Sequence, residues 1–233
     1  MIPPELRVMV SPDSDSWASF AADAIGQAIR SVLSRKNVCY VMLTGGRAAE
    51  RLYKYWSDTA TLPLERIHFL FGDERCVPPD HADSNYALVK RTLLVNGVPL
   101  GCSILRMEAE KPDREVAARE YEMLTPEKVD ILLLGMGEDG HIASLFPGNS
   151  ALLSGERRVV SITGPKAPFQ RLTITPRVIA SASSVFLLAT GERKGKVLAE
   201  ALKSESNFMS LPVCLTLAGT WLLDAEAGCQ LKG

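Results

Sequence analysis

The segment Gly135-Met136-Gly137-Glu138-Asp139-Gly140-His141-Ile142-Ala143-Ser144 places four polar or ionisable side chains among three glycines. An imidazole titrates near neutrality and can move protons at pH 7, so His141 is a candidate catalytic acid or base. A nearby carboxylate can fix its tautomer and stabilise the imidazolium, and Glu138 and Asp139 both stand close in the chain. Ser144 is a poor nucleophile candidate, because it follows the histidine by three residues without a G-x-S-x-G elbow. His68 alternates within an apolar run and is expected to pack. Three histidines far apart and no cysteine cluster do not suggest a zinc site.

Three other groups could bind an anion. Thr44-Gly45-Gly46-Arg47 lies between an apolar run and a helical pattern. Its glycines allow close backbone approach, and a helix start offers free N–H groups and a positive dipole end, which suit phosphate. The turn lacks the Gly-Lys-Ser/Thr of a P-loop and the G-x-G-x-x-G of a dinucleotide site. Gly72-Asp73-Glu74-Arg75 follows a second apolar run; it is either a solvated turn or a site where Arg75 forks onto phosphate or carboxylate, worth about 1.5–3 kcal/mol. After His81, Asp83-Ser84-Asn85 reads as a helix cap. Pro165-Lys166-Ala167-Pro168-Phe169-Gln170-Arg171 sets Lys166 and Arg171 on a proline-stiffened loop that either covers a phosphate or stays solvated.

These groups need elements to hold them. Apolar runs at 6–10, 38–43, 67–71, 130–134 and 185–189 read as strands. Helical spacing predicts helices over 16–34, 48–56, 85–94, 114–124 and 192–202. Residues 147–170, rich in Gly, Pro and Ser, read as the longest loop. Strands apolar on both faces, alternating with helices, imply a three-layer α/β/α fold with a mainly parallel, Rossmann-like sheet. In such sheets sites form outside the carboxyl ends of the strands, where the glycine-rich segments fall. No repeat or linker divides the chain, so residues 1–233 are expected to form one domain.

Composition narrows the function classes. The 233 residues are 46% hydrophobic and 23% charged, ordinary for a globular protein. A net charge of −1 argues against a nucleic-acid coat or a polybasic membrane anchor but leaves room for a local basic pocket. No apolar run approaches the ~18–20 residues of a membrane span. The amino-terminal residues lack the charged start and apolar core of a signal peptide. Five scattered cysteines without a Cys-x-x-Cys read as reduced thiols, so a cytoplasmic setting is expected.

The string Gly-Met-Gly-Glu-Asp-Gly-His-Ile-Ala-Ser-Leu-Phe-Pro-Gly at 135–148 resembles the signature of 6-phosphogluconolactonases. Residues 71–85, residues 166–175, the run 185–191 followed by Lys194, and Trp221-Leu222-Leu223-Asp224 resemble further blocks of that family in the same order. The related glucosamine-6-phosphate deaminases share the fold, a similar phosphate turn and a similar Asp-Gly-His segment, but carry Phe-Asn-Glu-Pro where this chain has Ser144-Leu145-Phe146-Pro147. The missing glutamate favours the lactonase side. One departure is Gly45-Gly46-Arg47-Ala48-Ala49, where the family commonly has a hydroxyl residue and proline; a hydroxyl ligand is lost at Ala48.

The resemblance implies hydrolysis of 6-phospho-D-glucono-1,5-lactone to 6-phosphogluconate, with His141 as general base and Asp139, or failing it Glu138, orienting the ring. Thr44, Gly45, Gly46, Arg47, Asp73, Arg75, Lys166 and Arg171 are the expected substrate and phosphate contacts. No metal or organic cofactor is required. The expected partner is the small sugar-phosphate lactone, with no nucleic acid and no membrane, and the chain a monomer or weak homodimer. A deaminase-type sugar-phosphate enzyme and a non-catalytic sugar-phosphate sensor are the alternatives.

Overall fold

The computed structural model describes residue 3, residues 5–203 and residues 207–232. Its centre is a seven-stranded sheet made of β1 (Arg7–Val10), β2 (Cys39–Leu43), β3 (Ile67–Phe71), β5 (Ser103–Ile104), β6 (Ile131–Gly135), β9 (Ser184–Ala189) and β10 (Thr220–Leu223). All pairings are parallel and the order is β1-β10-β9-β6-β2-β3-β5. Helices α1 (Trp17–Leu33), α2 (Arg47–Thr59), α3 (Asn85–Thr92), α4 (Arg114–Leu124), α5 (Pro176–Ser181) and α6 (Glu192–Ala201) lie in the connections between strands, and α7 (Ala225–Cys229) follows the last strand. Successive residues of β2, β3 and β6 are buried regardless of which face they point to, so both faces are covered. That is why these strands are continuous apolar runs in the sequence.

From β2 the chain works outward to β3 and β5. It then returns to β6 on the other side of β2 and runs outward to β9 and β10. The crevice between the carboxyl ends of β2 and β6 is therefore the topological switch point, where open α/β sheets bind ligands. Two buried tyrosines finish the strands beside it. Tyr53 of α2 accepts from Thr44 N at 3.0 Å and donates to Thr44 O at 2.8 Å. Tyr121 of α4 does the same to Phe71, at 2.7 and 3.0 Å. Each hydroxyl satisfies both backbone groups of one residue, which lets the ladder stop and the chain turn away.

A second sheet lies where a loop was expected. Strands β4 (Asp73–Arg75), β8 (Gln170–Ile174) and β7 (Val159–Thr163) form a three-stranded antiparallel sheet in the order β4-β8-β7. Residues 147–170 therefore include β7 and the first residue of β8, and Asp73–Arg75 is a strand rather than a free turn. Gly72 joins the two sheets: its N–H donates to Leu43 O and its carbonyl accepts from Ile174 N, both at 2.9 Å. His68 is half-buried and packs edge-on to Tyr40, with ring centroids 5.3 Å apart. The five cysteines are unpaired.

Candidate active site

At the switch point, Thr44 Oγ1 accepts from Gly135 N at 3.1 Å and ties the end of β2 to the end of β6. The chain then passes through Gly45 and Gly46 into α2. Gly46 has φ of 95° and caps the helix without a side-chain acceptor. Only glycine adopts that conformation readily, and a helix start without a cap leaves N–H groups unsatisfied. Ser84 caps α3, Asp113 caps α4 and Asp224 caps α7, whereas α1, α5 and α6, like α2, start without a side-chain cap. A cleft of about 170 Å³ opens over this start, and its walls include Thr44, Gly45, Gly46, Arg47, Asp73, Arg75, His141, Arg171 and Lys194.

The loop after β6 carries the histidine. His141 Nδ1 stands 2.5 Å from Asp139 Oδ1, and Gly137 N donates to His141 O at 2.9 Å, closing the loop. A Cβ at Gly137 would lie 2.2 Å from the His141 ring and 2.4 Å from Asp139 Oδ1, so only glycine lets the pair sit against the backbone. With Nδ1 facing the carboxylate, Nε2 is left without a hydrogen bond among the described residues, and the side chain is 20% exposed on the cleft wall. Burial works to raise the Asp139 carboxyl. The His141 charge and hydrogen bonds outweigh it, with help from Lys166, and hold the group below the usual aspartate range. Glu138 faces outward and pairs with Arg193 at 3.2 Å, so Asp139 is the residue in position to orient the ring.

The small sheet builds the opposite wall from buried polar side chains. Asp73 and Arg171 are 4% and 6% exposed. Asn85 Nδ2 donates to Asp73 Oδ1 at 3.0 Å and to its carbonyl at 2.9 Å. Glu74 anchors the start of α3, accepting from Asn85 N and Tyr86 N at 2.8 Å and from Ser84 Oγ at 3.0 Å. Burial raises the Glu74 carboxyl above its ordinary range, opposed by those N–H donors and reinforced by Asp73. Arg171 Nε donates to Pro168 O at 3.0 Å. Its guanidinium lies 5.4 Å from the Phe146 ring, whose centroid is 4.5 Å from that of His141.

Four cations and one carboxylate line the cleft, so it is strongly electropositive. Arg75 and Arg171 are direct cross-strand neighbours, a like-charge pairing that destabilises a sheet unless an anion sits between. Arg75 is also anchored, through Nη1 to Asp83 O at 2.5 Å. Burial, then the adjacent Arg75 charge against the pull of Asp73, brings the Arg171 guanidinium below its ordinary value. Lys194, in the first turn of α6, is lowered in the same way by burial and by neighbouring Arg47. Sequence reasoning did not place Lys194 in the site; the available signal was a lysine just after a strand-ending Thr190-Gly191. Lys166 is not on the cleft wall. Its Nζ sits 3.5 Å from Asp139 Oδ2, behind the histidine pair, because the turn between β7 and β8 folds over Asp139. Among the described residues no group of three or more His, Cys, Asp or Glu side chains could hold a metal ion, and no helix is long and apolar enough to cross a membrane.

A proton-transfer pair beside a small, positively charged cleft at a sheet's switch point belongs to an enzyme for small anionic molecules, not to a module that grips a polymer. Residues 12–222 match the family described as glucosamine-6-phosphate isomerases/6-phosphogluconolactonase, and the chain belongs to that family. It is 31% identical over 247 residues to the 6-phosphogluconolactonase of Mycobacterium tuberculosis, covering 96% of this chain and 98% of that one. A crystal structure of 6-phosphogluconolactonase from Thermotoga maritima is similar with a TM-score of 0.82 and 26% identity, over 94% of this chain and 99% of that one. A monomeric glucosamine-6-phosphate deaminase is as similar in fold, with a TM-score of 0.82, 21% identity, and coverage of 96% and 99%. Fold alone therefore does not separate the two activities.

Proposed function

We propose that this chain is a cytoplasmic 6-phosphogluconolactonase, a single-domain monomer or weak homodimer that hydrolyses 6-phospho-D-glucono-1,5-lactone to 6-phosphogluconate. The observation that carries the reading is the His141–Asp139 pair at 2.5 Å on the wall of a cleft rich in cations. Two sequence features add to it: the lactonase relatives match nearly the whole chain, and Ser144-Leu145-Phe146-Pro147 lacks the glutamate of the deaminase pattern.

Asp139 accepts a hydrogen bond from the Nδ1–H of His141, which leaves the Nε2 lone pair toward the cleft. Nε2 removes a proton from water as the water oxygen adds to the lactone carbonyl. The resulting oxyanion is stabilised by the positive field of the cleft. When the C1–ring-oxygen bond breaks, Nε2 returns its proton to that oxygen, giving a hydroxyl and a carboxylic acid that ionises. General-base help of this kind is worth ~10²–10⁴-fold, or about 3–5 kcal/mol of barrier. The start of α2 with Thr44, Gly45, Gly46, Arg47 and Lys194 takes the phosphate, because it offers free N–H groups and two cations together. Arg75 and Arg171 complete the anion-binding wall, and Asp73 is the acceptor for substrate hydroxyls. Lys166 supports Asp139 from outside.

The test is stopped-flow decay of freshly generated 6-phosphogluconolactone, corrected for spontaneous hydrolysis. Wild-type chain is expected to accelerate decay and to release no ammonia from glucosamine 6-phosphate. Decay no faster than in buffer would overturn the reading.

A further inference from the structure

Asp73 and Arg171 share one neighbour that the lactonase reading leaves without a role. Ser144 is fully buried and is not on the cleft surface, whereas both groups its hydroxyl meets are. Oγ donates to Asp73 Oδ2 at 2.6 Å. Arg171 Nη1 lies 3.4 Å from the same oxygen, at the long end of hydrogen-bond range.

We propose that the Ser144 hydroxyl is a positioning group that stands between Asp73 and Arg171, prevents their closing into a direct ion pair, and so leaves the guanidinium free to receive an anion in the cleft. The identity of that anion, a phosphorylated sugar acid or its lactone, rests on the lactonase reading.

The surroundings give the hydroxyl this place and no other. Ala143 has φ of 49°, a left-handed conformation rare for a residue with a side chain, and it turns the loop inward. Ser144 N then donates to Thr173 Oγ1 of β8 at 3.1 Å, which fixes the residue against the small sheet. The other polar edges are already committed. Asp73 Oδ1 is held by Asn85. Arg171 Nε is held by Pro168 O, and Nη2 is 3.5 Å from Lys166 O. What remains is Asp73 Oδ2 and Arg171 Nη1, facing each other across one serine oxygen. In a wall shielded from water, opposite charges this close attract strongly and tend to form a short charge-assisted pair. The hydroxyl meets each charge with one hydrogen-bonding edge instead. Phe146, under the guanidinium, restrains it from the other side.

A serine that only satisfied a buried carboxylate would affect stability when removed, whatever stood at position 171. A positioning serine acts on ligand affinity, and only through Arg171. The experiment is a double-mutant cycle of Ser144→Ala and Arg171→Ala, read as KM and kcat for the lactone and as Kd for 6-phosphogluconate by calorimetry. Ser144→Ala is expected to raise KM and Kd about tenfold, the loss of roughly one charge-assisted hydrogen bond, with kcat changed less than about threefold. In the Arg171→Ala background it is expected to add less than about twofold. Equal factors in both backgrounds, or no change in Kd in the wild-type background, overturn the proposal. Should the alanine variant fail to fold, Ser144→Cys keeps the volume with a much weaker donor and is read against the same criteria. Wild type and His141→Ala are measured alongside. Lactone turnover that His141→Ala abolishes upholds the lactonase reading whatever Ser144 does; absent wild-type turnover sinks that reading, and the cycle in Kd still decides the role of Ser144.

Discussion

The seven-stranded and three-stranded sheets meet at Gly72 and serve the cleft in different ways. The large sheet offers almost no charged side chain to it. Its contribution comes from the segments that follow its strands: the turn at Thr44–Gly46, the loop that holds His141, and the helix starts that carry Arg47 and Lys194. The small sheet contributes side chains. Asp73, Glu74, Arg171 and Thr173 are all buried polar residues on or beside its strands, and each is held by named partners. Position and two of the four cations, Arg47 and Lys194, thus come from the ends of the large sheet's strands, and Arg75, Arg171 and Asp73 come from the small sheet. Faults in the histidine loop of the first should show mainly in turnover, and faults in the second in affinity and stability together.

The largest effect expected is on the loop of the large sheet. Gly137→Ala puts a methyl 2.2 Å from the His141 ring, so the ring must shift. A displacement of about 1 Å can cost on the order of 10²-fold in rate. Thermal unfolding close to wild type with kcat reduced by that order would fit; a full kcat would break the claim that this backbone seats the base. On the small sheet, Arg171→Ala should raise Kd for 6-phosphogluconate about ten- to a hundredfold, as for a lost hydrogen bond to a charge. A large fall in kcat at unchanged Kd would erase the division between the sheets.

Glu74→Gln sharpens the comparison at a lower level. An amide presents donors where Tyr86 N and Ser84 Oγ, or else Asn85 N, already donate. A stability loss of about 1–3 kcal/mol by denaturant titration is expected. Its burial-raised carboxyl means the wild-type Glu74 favours folding most when protonated, so this residue's contribution declines as pH rises through its raised folded value. Asp139 has the opposite sign. Its carboxyl is lowered from 3.8, so its contribution is present above that value and is lost as pH falls through the lowered folded one. Asp139→Asn should therefore cost on the order of 1 kcal/mol or less at pH 7, a difference that shrinks in acid. A gap independent of pH would argue against a charged pair with His141.

The two sheets also differed in how far the sequence revealed them. Strands buried on both faces must be apolar throughout, so Cys39–Leu43, Ile67–Phe71 and Ile131–Gly135 were visible within about a residue. The strands of the small sheet were hidden, because Asp73-Glu74-Arg75 and Gln170-Arg171 carry the residues of a solvated turn and are satisfied only by partners far along the chain. Val159–Thr163 is a β-branched, strand-like run and was masked instead by the Gly- and Pro-rich stretch around it. His141 and the Thr44 turn were legible because glycines flank them at strand ends. Lys194 and Asn85 were not, since a helix's first-turn lysine and a helix-start asparagine look alike whether or not a cleft lies beside them. Lys166 illustrates the converse: a cation on a stiff loop was expected over the phosphate, while the turn directs it onto Asp139.

The central claim is that the His141 ring takes a proton from water. The most direct measurement is the pH dependence of kcat/KM for 6-phosphogluconolactone, with spontaneous hydrolysis subtracted, for wild type and His141→Gln. The account predicts a wild-type profile that falls on the acid side as the ring protonates, and a residual His141→Gln rate at least ~10²-fold lower with no such fall. An acid limb of the same position and slope in both proteins would contradict it.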